Sequence, residues 1–287
     1  MKLTALVICK NEEELIRNAL ESVKDFDEIV VVDTGSTDKT LEIAREYTDK
    51  IFHFPWVDDF SKARNEAIKH ATGDWLYSID CDQVLLSSVE EVRNEAARLD
   101  NEGHKVALVK TLAGNNDEQV HFREILFKND PDVYWIGAVH ESLSVRGTEK
   151  TSIERRRGSS KSKLADPERN IRILENNALT PRSKFYLGRE NYERGRYEEA
   201  IKWLLAYLEE GTWHPEVAEA YLTLARCYWF TQQGDKAREA CMRAIKVNPD
   251  FKEALLLMSV MHFEPWKSKW KKIADQATNQ DVLFIRN

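Results

Sequence analysis

Short β-type runs alternate with helical patterns through the first 85 residues, and this alternation limits the possible folds more than any other feature. The runs "LTALVIC", "DEIVVVD", "DKIFHF" and "DWLYSID" each have the length and apolar content of a strand. After the first run, Asn11 is expected to cap a helix that carries Glu14 in its first turn. After the third, a helix is expected to begin at a Ser61 cap and stop at Gly73. Such alternation with short links predicts a parallel sheet covered by helices.

Acidic residues stand at the ends of two of these predicted strands. Asp33 ends the second run, and Asp80 and Asp82 flank Cys81 directly after the fourth. Because ligands of parallel α/β sheets bind at the carboxyl ends of strands, we expect these carboxylates along one edge. On local sequence alone two interpretations stay open: the pair Asp80 and Asp82 holds a metal ion, or it merely ends a strand. Asp33 likewise either binds a base or sugar or precedes a helix cap.

A polar and basic stretch separates this half from the next. The segment "ERRRGSSKSKLADPER", which starts at Glu154, has few apolar residues and is interpreted as a linker or loop, with a phosphate-binding arm as the alternative. The predicted domains are therefore an α/β domain over 1–153, a linker over 154–180 and a helical domain over 181–287.

The helical half contains an internal repeat. The segment "FYLGRENYERGRYEEAIKWLLAYLE" aligns with "AYLTLARCYWFTQQGDKAREACMRAIKVNPD", so that Gly188 matches Ala225 and Ala200 matches Ala237. Small residues at these places let paired helices approach closely, and the pattern resembles the tetratricopeptide repeat. A degenerate third unit is expected from about Lys252. A generic bundle of helical hairpins is the alternative.

Composition excludes several classes of protein. No apolar run is long enough to cross a bilayer, and the start "MKLTALVICKNEEE" meets acidic residues too early for a signal peptide. The net charge of -7 argues against general nucleic-acid binding. The four cysteines show neither metal-type spacing nor disulfide density, which predicts a reducing, cytoplasmic location.

Four segments, taken together and in order, resemble the family 2 glycosyltransferases. They are "ICKNEE", "IVVVDTGSTDKT", "DDFSKARNEAIKHATGDWLYSIDCDQVL" and "WIGAVHESL", and they span roughly residues 1 to 145. The chain is similar to the branch of this family in which tetratricopeptide repeats follow the catalytic domain. One departure is Gln83, because this branch commonly has Glu there, and the change is expected to alter activity or metal affinity.

The resemblance implies the GT-A fold, a Rossmann-like domain that uses a UDP-sugar donor and Mn²⁺ or Mg²⁺. In that fold Asp82 would bind the metal, and Asp80 would contact ribose or metal-bound water. His140 is a candidate further metal ligand, in keeping with the acceptance of imidazole by Mn²⁺. Asp33 would accept a hydrogen bond from the nucleobase, with uracil the expected base.

The resemblance also assigns residues to the rest of the donor pocket and to proton transfer. The backbone at Cys9 and Asn11 would line the nucleotide pocket, and Arg64 would face the diphosphate or fix the Asp80 loop. Glu141 is the expected general base, because inverting transfer must remove a proton from the acceptor. Further candidates for these roles are Arg123 for the diphosphate and Asp58, Asp59 and Asp132 for the base.

The expected function is metal-dependent, inverting transfer of a hexose from a UDP-sugar to a hydroxyl or thiol on a peptide, glycan or other macromolecule. Two alternatives stay open: a non-catalytic adaptor built on a decayed transferase domain, and a nucleotidyltransferase. The repeats are expected to pack onto the catalytic domain or to form a homodimer, because two clear units are fewer than an independent array needs.

Overall fold

The structure is a computed structural model that describes residues 1–113, 119–158 and 166–278. The chain divides into two compact units, Met1–Arg169 and Asn170–Asn287. In the described part of the chain, no helix is both long and apolar enough to cross a membrane.

The first unit is an α/β domain. Its helices are α1 (Ile16–Ser22), α2 (Thr40–Ala44), α3 (Phe60–His70) and α4 (Val89–Asn101). Its strands are β1 (Leu3–Cys9), β2 (Glu28–Asp33), β3 (Ile51–His53), β4 (Trp75–Asp80), β5 (Gln83–Leu85), β6 (Val106–Ala113), β7 (Gln119–Lys128), β8 (Trp135–Ile136), β9 (Ser142–Leu143) and β10 (Glu149–Arg157).

One mixed sheet runs through this unit in the order β3-β2-β1-β4-β7-β6-β10-β5, and β8 and β9 form a separate hairpin pair. Strands β3, β2, β1 and β4 are mutually parallel, which confirms the prediction for these four strands. Strand β7, which the sequence analysis did not identify, is antiparallel to both of its neighbours, so the complete sheet is mixed. The physical reason is that β6 and β7 pair directly with each other and need no helical crossover between them.

The centre of the sheet forms the core. Strands β1 and β2 are buried along nearly their whole length, as expected for strands that helices cover on both faces. The largest fully buried side chains include Trp75, Tyr77 and Phe127, which lie on the neighbouring strands β4 and β7. This rigid centre fixes where the carboxyl ends of β1, β2 and β4 lie.

Both helix caps that the sequence suggested were wrong. Helix α3 is capped by Asp59, whose side chain accepts a hydrogen bond from the Lys62 backbone N–H, and the Ser61 hydroxyl donates to Asp59 at 2.6 Å. Helix α1 begins only at Ile16, without a side-chain cap. Asn11 instead has a positive φ of 54° and accepts a hydrogen bond from the Thr37 backbone N–H at 2.7 Å. The Asn11 amide therefore joins the loop after β1 to the loop after β2 and does not cap α1.

Strand β10 extends to Arg157, so the predicted start of the linker at Glu154 falls inside the sheet and was wrong. The residues Thr151, Ile153 and Arg155 alternate inward and are 8%, 0% and 3% exposed. The charged sequence concealed this strand pattern, because a buried arginine needs internal partners that only the structure supplies. Residues 159–165 of the predicted linker lie outside the described residues.

The second unit is helical. Its helices are α5 (Arg169–Asn176, which begins one residue before the division), α6 (Pro181–Glu193), α7 (Tyr197–Leu208), α8 (His214–Phe230), α9 (Gly234–Val247), α10 (Lys252–Val260) and α11 (Trp266–Gln276). Helix α6 packs against α7, α8 against α9 and α10 against α11. A Cβ atom added at Gly188 would lie 2.6 Å from the Leu204 side chain, which is why this repeat position must be small. The third pair begins at Lys252, as predicted; residues 279–287 lie outside the described residues.

Candidate active site

The carboxyl ends of three adjacent strands gather the predicted site residues. Strand β1 lies between β2 and β4, with Cys9 in register with Asp33 and Ile8 in register with Asp80. Asp33 and Asp80 therefore lie at the same edge of the sheet, on either side of β1. Cys81 and Asp82 follow in the turn between β4 and β5.

Asp33 is buried and shapes the turn that follows β2. Its carboxylate accepts hydrogen bonds from the backbone N–H groups of Gly35 at 3.1 Å and Ser36 at 3.0 Å. The Nδ1 atom of His53 lies 3.3 Å from the same carboxylate. The Asn11 backbone N–H donates to the Ser36 hydroxyl at 3.0 Å, which ties the β1 loop to this turn. The Asp33 carboxylate thus lies buried where the two loops meet, with the residue only 2% exposed.

The two cysteines at this edge are buried. Burial, and then the charge of Asp33, raise the pKa of the Cys9 thiol. Burial, followed by the neighbouring Cys9, raises the pKa of Cys81 as well. These shifts favour the protonated thiol, which is the less reactive form, at neutral pH.

Arg64 on α3 joins two predicted site residues that are distant in sequence. Its Nη2 donates to Asp80 Oδ1 at 2.7 Å, and its Nε donates to Glu141 Oε1 at 2.6 Å. A third bond runs from Nη1 to the Ser78 hydroxyl at 3.0 Å. Burial opposes the charge, but the two carboxylates outweigh it and raise the pKa of Arg64. The side chain is only 12% exposed, so Arg64 holds Asp80 and Glu141 in place from within the protein.

The second oxygen of Asp80 is held by Gln83. The Gln83 Nε2 donates to Asp80 Oδ2 at 2.7 Å, and the Gln83 Oε1 accepts from the Asp80 backbone N–H at 3.0 Å. The Arg155 Nη1 also donates to Gln83 Oε1, and its Nε donates to the Thr111 hydroxyl at 2.9 Å. Burial acts to raise the pKa of Asp80, but Arg64 and then Arg155 overcome it and lower that pKa to about 2.

Asp82 has the opposite electrostatic environment. Burial and the charge of Asp80 raise the pKa of Asp82, and the nearest opposing charge is Arg157, whose Nε lies 3.7 Å from Asp82 Oδ2. A cation would relieve this excess of negative charge. Among the described residues no group of three or more His, Cys, Asp or Glu is placed to hold a metal ion. Mg²⁺ and Mn²⁺ need only one or two carboxylates when phosphate oxygens and water complete the shell, so Asp82 fits such an ion.

His140 and Glu141 lie in the loop between β8 and β9. His140 has a positive φ of 54°, and the loop is joined to the start of α3 by a hydrogen bond of 2.9 Å from the Phe60 N–H to the Ala138 carbonyl. Glu141 meets Arg64, as described above, and its side chain is 11% exposed. The loop therefore carries Glu141 to the same arginine that holds Asp80.

The other candidates for the base have structural partners. Asp59 caps α3, Asp58 accepts a hydrogen bond from Trp56 Nε1 at 2.8 Å, and Asp132 pairs with Lys105 at 3.1 Å. Arg123, the weaker diphosphate candidate, is exposed on β7.

Sequence reasoning missed the contribution of β10. Arg155 and Arg157 lie beside the acidic turn because β10 pairs with β5, with Arg157 in register with Gln83. The available signal was the alternation of Ile153 with these arginines in "TSIERRR", which a period of two would have marked as a strand. Ser78, the other unforeseen partner, is an inward position of β4.

Comparison with known proteins bears on both units. The Glycosyl transferase family 2 description matches residues 4–161, more than half of the chain, and a Tetratricopeptide repeat description matches residues 191–260. Both parts of the predicted architecture are confirmed, in the predicted order.

The chain is also similar to curated relatives and to a solved structure. A TPR repeat-containing protein of Synechococcus elongatus is 40% identical over 139 residues, which are 47% of this chain and 34% of that protein. The SPbeta prophage-derived glycosyltransferase SunS of Bacillus subtilis is 44% identical over 85 residues, which are 29% of this chain and 20% of SunS. The structure of S. aureus TarS 1-349 in complex with UDP is 18% identical, covers 87% of this chain and 90% of that chain, and gives a TM-score of 0.44. The alignments to the two curated relatives thus span about a third of one and a fifth of the other.

Proposed function

Because the chain belongs to glycosyl transferase family 2, we propose that it transfers a hexose, of the glucose or N-acetylhexosamine type, from a UDP-sugar to an acceptor with inversion at the sugar carbon. The acceptor group is a hydroxyl or thiol on a peptide, glycan or other macromolecule. A cytoplasmic location and a homodimer built through the repeats belong to the same proposal. The name of the relative SunS as a glycosyltransferase supports the reaction class.

One observation carries this proposal: Arg64 bonds Asp80 at 2.7 Å and Glu141 at 2.6 Å. These carboxylates come from distant parts of the sequence, and the resemblance implied donor binding for Asp80 and proton removal for Glu141. Their shared arginine places a residue suited to donor binding next to a residue suited to proton removal. Group transfer needs these two functions side by side, because donor and acceptor must meet within bonding distance.

The nucleotide would occupy the pocket between the first two loops. Asp33 would accept a hydrogen bond from the uracil N–H, and the backbone at Cys9 and Asn11 would line the pocket. The carboxylate now bonds Ser36 N–H at 3.0 Å and Gly35 N–H at 3.1 Å. His53 Nδ1 lies 3.3 Å from the same carboxylate. Since a carboxylate has about four acceptor positions, the base would take the place that these three groups leave.

Asp82 would hold a divalent cation, with His140 as a further candidate ligand. When bound, Mn²⁺ or Mg²⁺ would stabilise the negative charge that develops on the departing diphosphate. The protein's own contribution is positional: Arg64 and Gln83 hold both oxygens of Asp80, so this side chain is fixed before the donor arrives. Fixed polar groups lower the reorganisation needed during reaction.

Glu141 would take the acceptor proton. Its hydrogen bond with Arg64 uses the Oε1 atom, and the proton would go to Oε2. The Glu141 side chain is only 11% exposed, so few water molecules would compete with the acceptor group for its carboxylate.

A thermal-shift panel tests the proposal. Nucleotide sugars with uridine, guanosine or cytidine are compared with and without Mn²⁺, and the same samples are assayed for released nucleotide. A UDP-sugar at about a hundred times its Kd should stabilise the fold by about 2.7 kcal/mol, or about 5 °C in a protein of this size. A panel in which no nucleotide sugar shifts the melting temperature, with or without metal, would contradict the proposal.

A further inference from the structure

Arg155 is a buried cation whose hydrogen-bonding partners are neutral. The residue is 3% exposed, and burial lowers its pKa to about 10. Its bonds go to the amide oxygen of Gln83 and to the hydroxyl of Thr111. Burying a charge without a paired acid is costly, so this arrangement needs a reason. Asp80 of the candidate site lies on the other side of the Gln83 amide, which bonds both Arg155 and Asp80.

Arg155 and the Asp80 backbone N–H together fix which way the Gln83 amide faces. A guanidinium can only donate hydrogen bonds, so it requires the Gln83 oxygen on its own side. The same oxygen also accepts from the Asp80 backbone N–H at 3.0 Å. The amide nitrogen must then face the other way, where it donates to Asp80 Oδ2 at 2.7 Å. If the Gln83 amide were rotated by half a turn, its oxygen would lie 2.7 Å from Asp80 Oδ2, and neither oxygen could donate a hydrogen bond.

This geometry gives a positive role to the one departure from the family pattern. With Glu at position 83, a second carboxylate oxygen would face Asp80 Oδ2 and could not donate to it. The neutral amide links a buried cation to a carboxylate in a way that an acid cannot. Arg64 holds the other oxygen of Asp80, so two arginines fix this side chain, one directly and one through Gln83.

We propose that Arg155 and Gln83 are positioning residues that together orient the Asp80 carboxylate for the donor, an inference that rests on the proposed function. Neither residue touches the donor. Arg155 sets the amide of Gln83, and the amide sets the carboxylate. Gln83 is thus part of a working donor site, and its presence does not indicate decay of the transferase domain.

A double-mutant cycle tests the inference. The full chain, Gln83→Met, Arg155→Met and the double variant are titrated with UDP by calorimetry at one fixed Mg²⁺ concentration. Each single variant should bind UDP about tenfold more weakly, since Gln83→Met removes the donor to Asp80 Oδ2 and Arg155→Met removes the charge that holds this donor in place. The double variant should also lose about tenfold and not about a hundredfold, because the two residues act in series. Arg146→Met is the matched control: this exposed arginine pairs with Glu124 at 3.4 Å, and the variant should bind UDP like the parent.

Two results would overturn the inference while leaving the proposed function intact. One is a parent that binds UDP combined with single losses that multiply in the double variant. The other is an Arg155→Met variant that melts at a lower temperature but binds UDP unchanged, which is the behaviour of a purely structural residue. A parent that binds no UDP would instead overturn the proposed function.

Gln83→Glu is a second variant that tests the inference even if the methionine variants fail to fold. Its carboxylate can still accept from Arg155, so the fold should persist, but it cannot donate to Asp80. We expect UDP binding about tenfold or more below that of the parent. Parental affinity in a folded Gln83→Glu protein would refute the positioning role.

Discussion

At the scale of single residues, Asp80 and Asp82 are two acids of one short motif with opposite environments. The charges of Arg64 and Arg155 outweigh burial and lower the pKa of Asp80 to about 2, whereas burial and Asp80 itself raise the pKa of Asp82. The negative charge of Asp80 is therefore compensated by two arginines, and that of Asp82 much less so, which supports the proposal that Asp82 holds the cation. The sequence predicted that both acids follow a strand. The difference between their pKa values depends in part on Arg155, which the sequence analysis assigned to a linker.

The first prediction follows from this difference. Asp82→Asn removes the charge that would bind the metal ion, so UDP binding should lose its dependence on Mn²⁺ or Mg²⁺ and weaken strongly. The fold should persist, because the backbone carbonyl of Asp82, which accepts from Gly158 N–H at 2.6 Å, is unchanged. Calorimetry with and without metal measures the effect. Asp132→Asn, an exposed acid paired with Lys105, is the control; Asp82→Asn that still required metal for UDP binding would contradict the assignment.

The second prediction concerns Glu141. Glu141→Gln keeps an oxygen that can accept from Arg64 but cannot take a proton, so donor binding should persist while transfer falls. A general base contributes roughly a hundred- to ten-thousand-fold in rate. Steady-state rates and UDP affinity are measured on the same preparation. Glu124→Gln is a matched control, because Glu124 also pairs with an arginine and is 15% exposed against 11% for Glu141. Near-parental turnover in Glu141→Gln would move the role to another acid.

At the scale of secondary structure, the first residue of β2 anchors the sheet. Glu28 is buried and accepts hydrogen bonds from the Thr4 hydroxyl at 2.5 Å and the Thr72 N–H at 2.7 Å, and it pairs with Lys50. Burial opposes the charge, but the bonds from Lys50, Thr4 and Thr72 prevail and lower the pKa of Glu28 from 4.5 to about 2. One ionised side chain thus ties β2 to the start of β1 and to the segment before β4.

The third prediction is the pH dependence of this anchor. Because the folded-state pKa lies below the unfolded one, the stabilisation is complete above about pH 4.5 and is lost as the pH falls towards 2. Glu28→Gln should lower the free energy of unfolding by about 3 kcal/mol at pH 7, and that difference should shrink by about 2 kcal/mol at pH 3. Urea denaturation at both pH values measures it. Glu90→Gln, at a side chain that is 70% exposed, should match the parent; a constant Glu28→Gln deficit would exclude the linkage.

The same scale shows what the sequence could supply. Apolar runs identify β1, β2 and β4 because strands buried on both faces need continuous apolar side chains, and the chain order then puts Asp33 and Asp80 on one edge. The first residues of the helices could not be predicted from the sequence in this way. Asn11 could cap a helix or bridge two loops, and only the position of Thr37, 26 residues later, decides between these uses. The alternation in "TSIERRR" could have marked Arg155 as a strand residue, but its burial beside the site could be recognised only once its partners Gln83 and Thr111 were known.

At the scale of the whole molecule, the two units differ in the apolar surface they expose. Of the sixteen large hydrophobic side chains that are exposed among the described residues, eleven lie in the helical unit. Three of them fall within seven residues at the junction of α10 and α11: Val260, Phe263 and Trp266 are 65%, 92% and 56% exposed. Apolar side chains concentrated in this way mark an interaction surface. This supports the proposal that the repeats form a homodimer, in which each chain covers the same junction of its partner.

The last prediction tests that assembly. Light scattering of the full chain should give twice the chain mass, and replacing both aromatic residues, Phe263→Ser with Trp266→Ser, should give the single-chain mass. The melting temperature should fall only by the stabilisation that the dimer interface provides, because these side chains are outside the core of the unit. Met242→Ser is the control, since Met242 is an exposed apolar residue of the same unit, 44% exposed, on a different helix pair. A parent chain that stays monomeric at high concentration would rule out the dimer, and a doubly substituted chain that still dimerised would place the interface elsewhere.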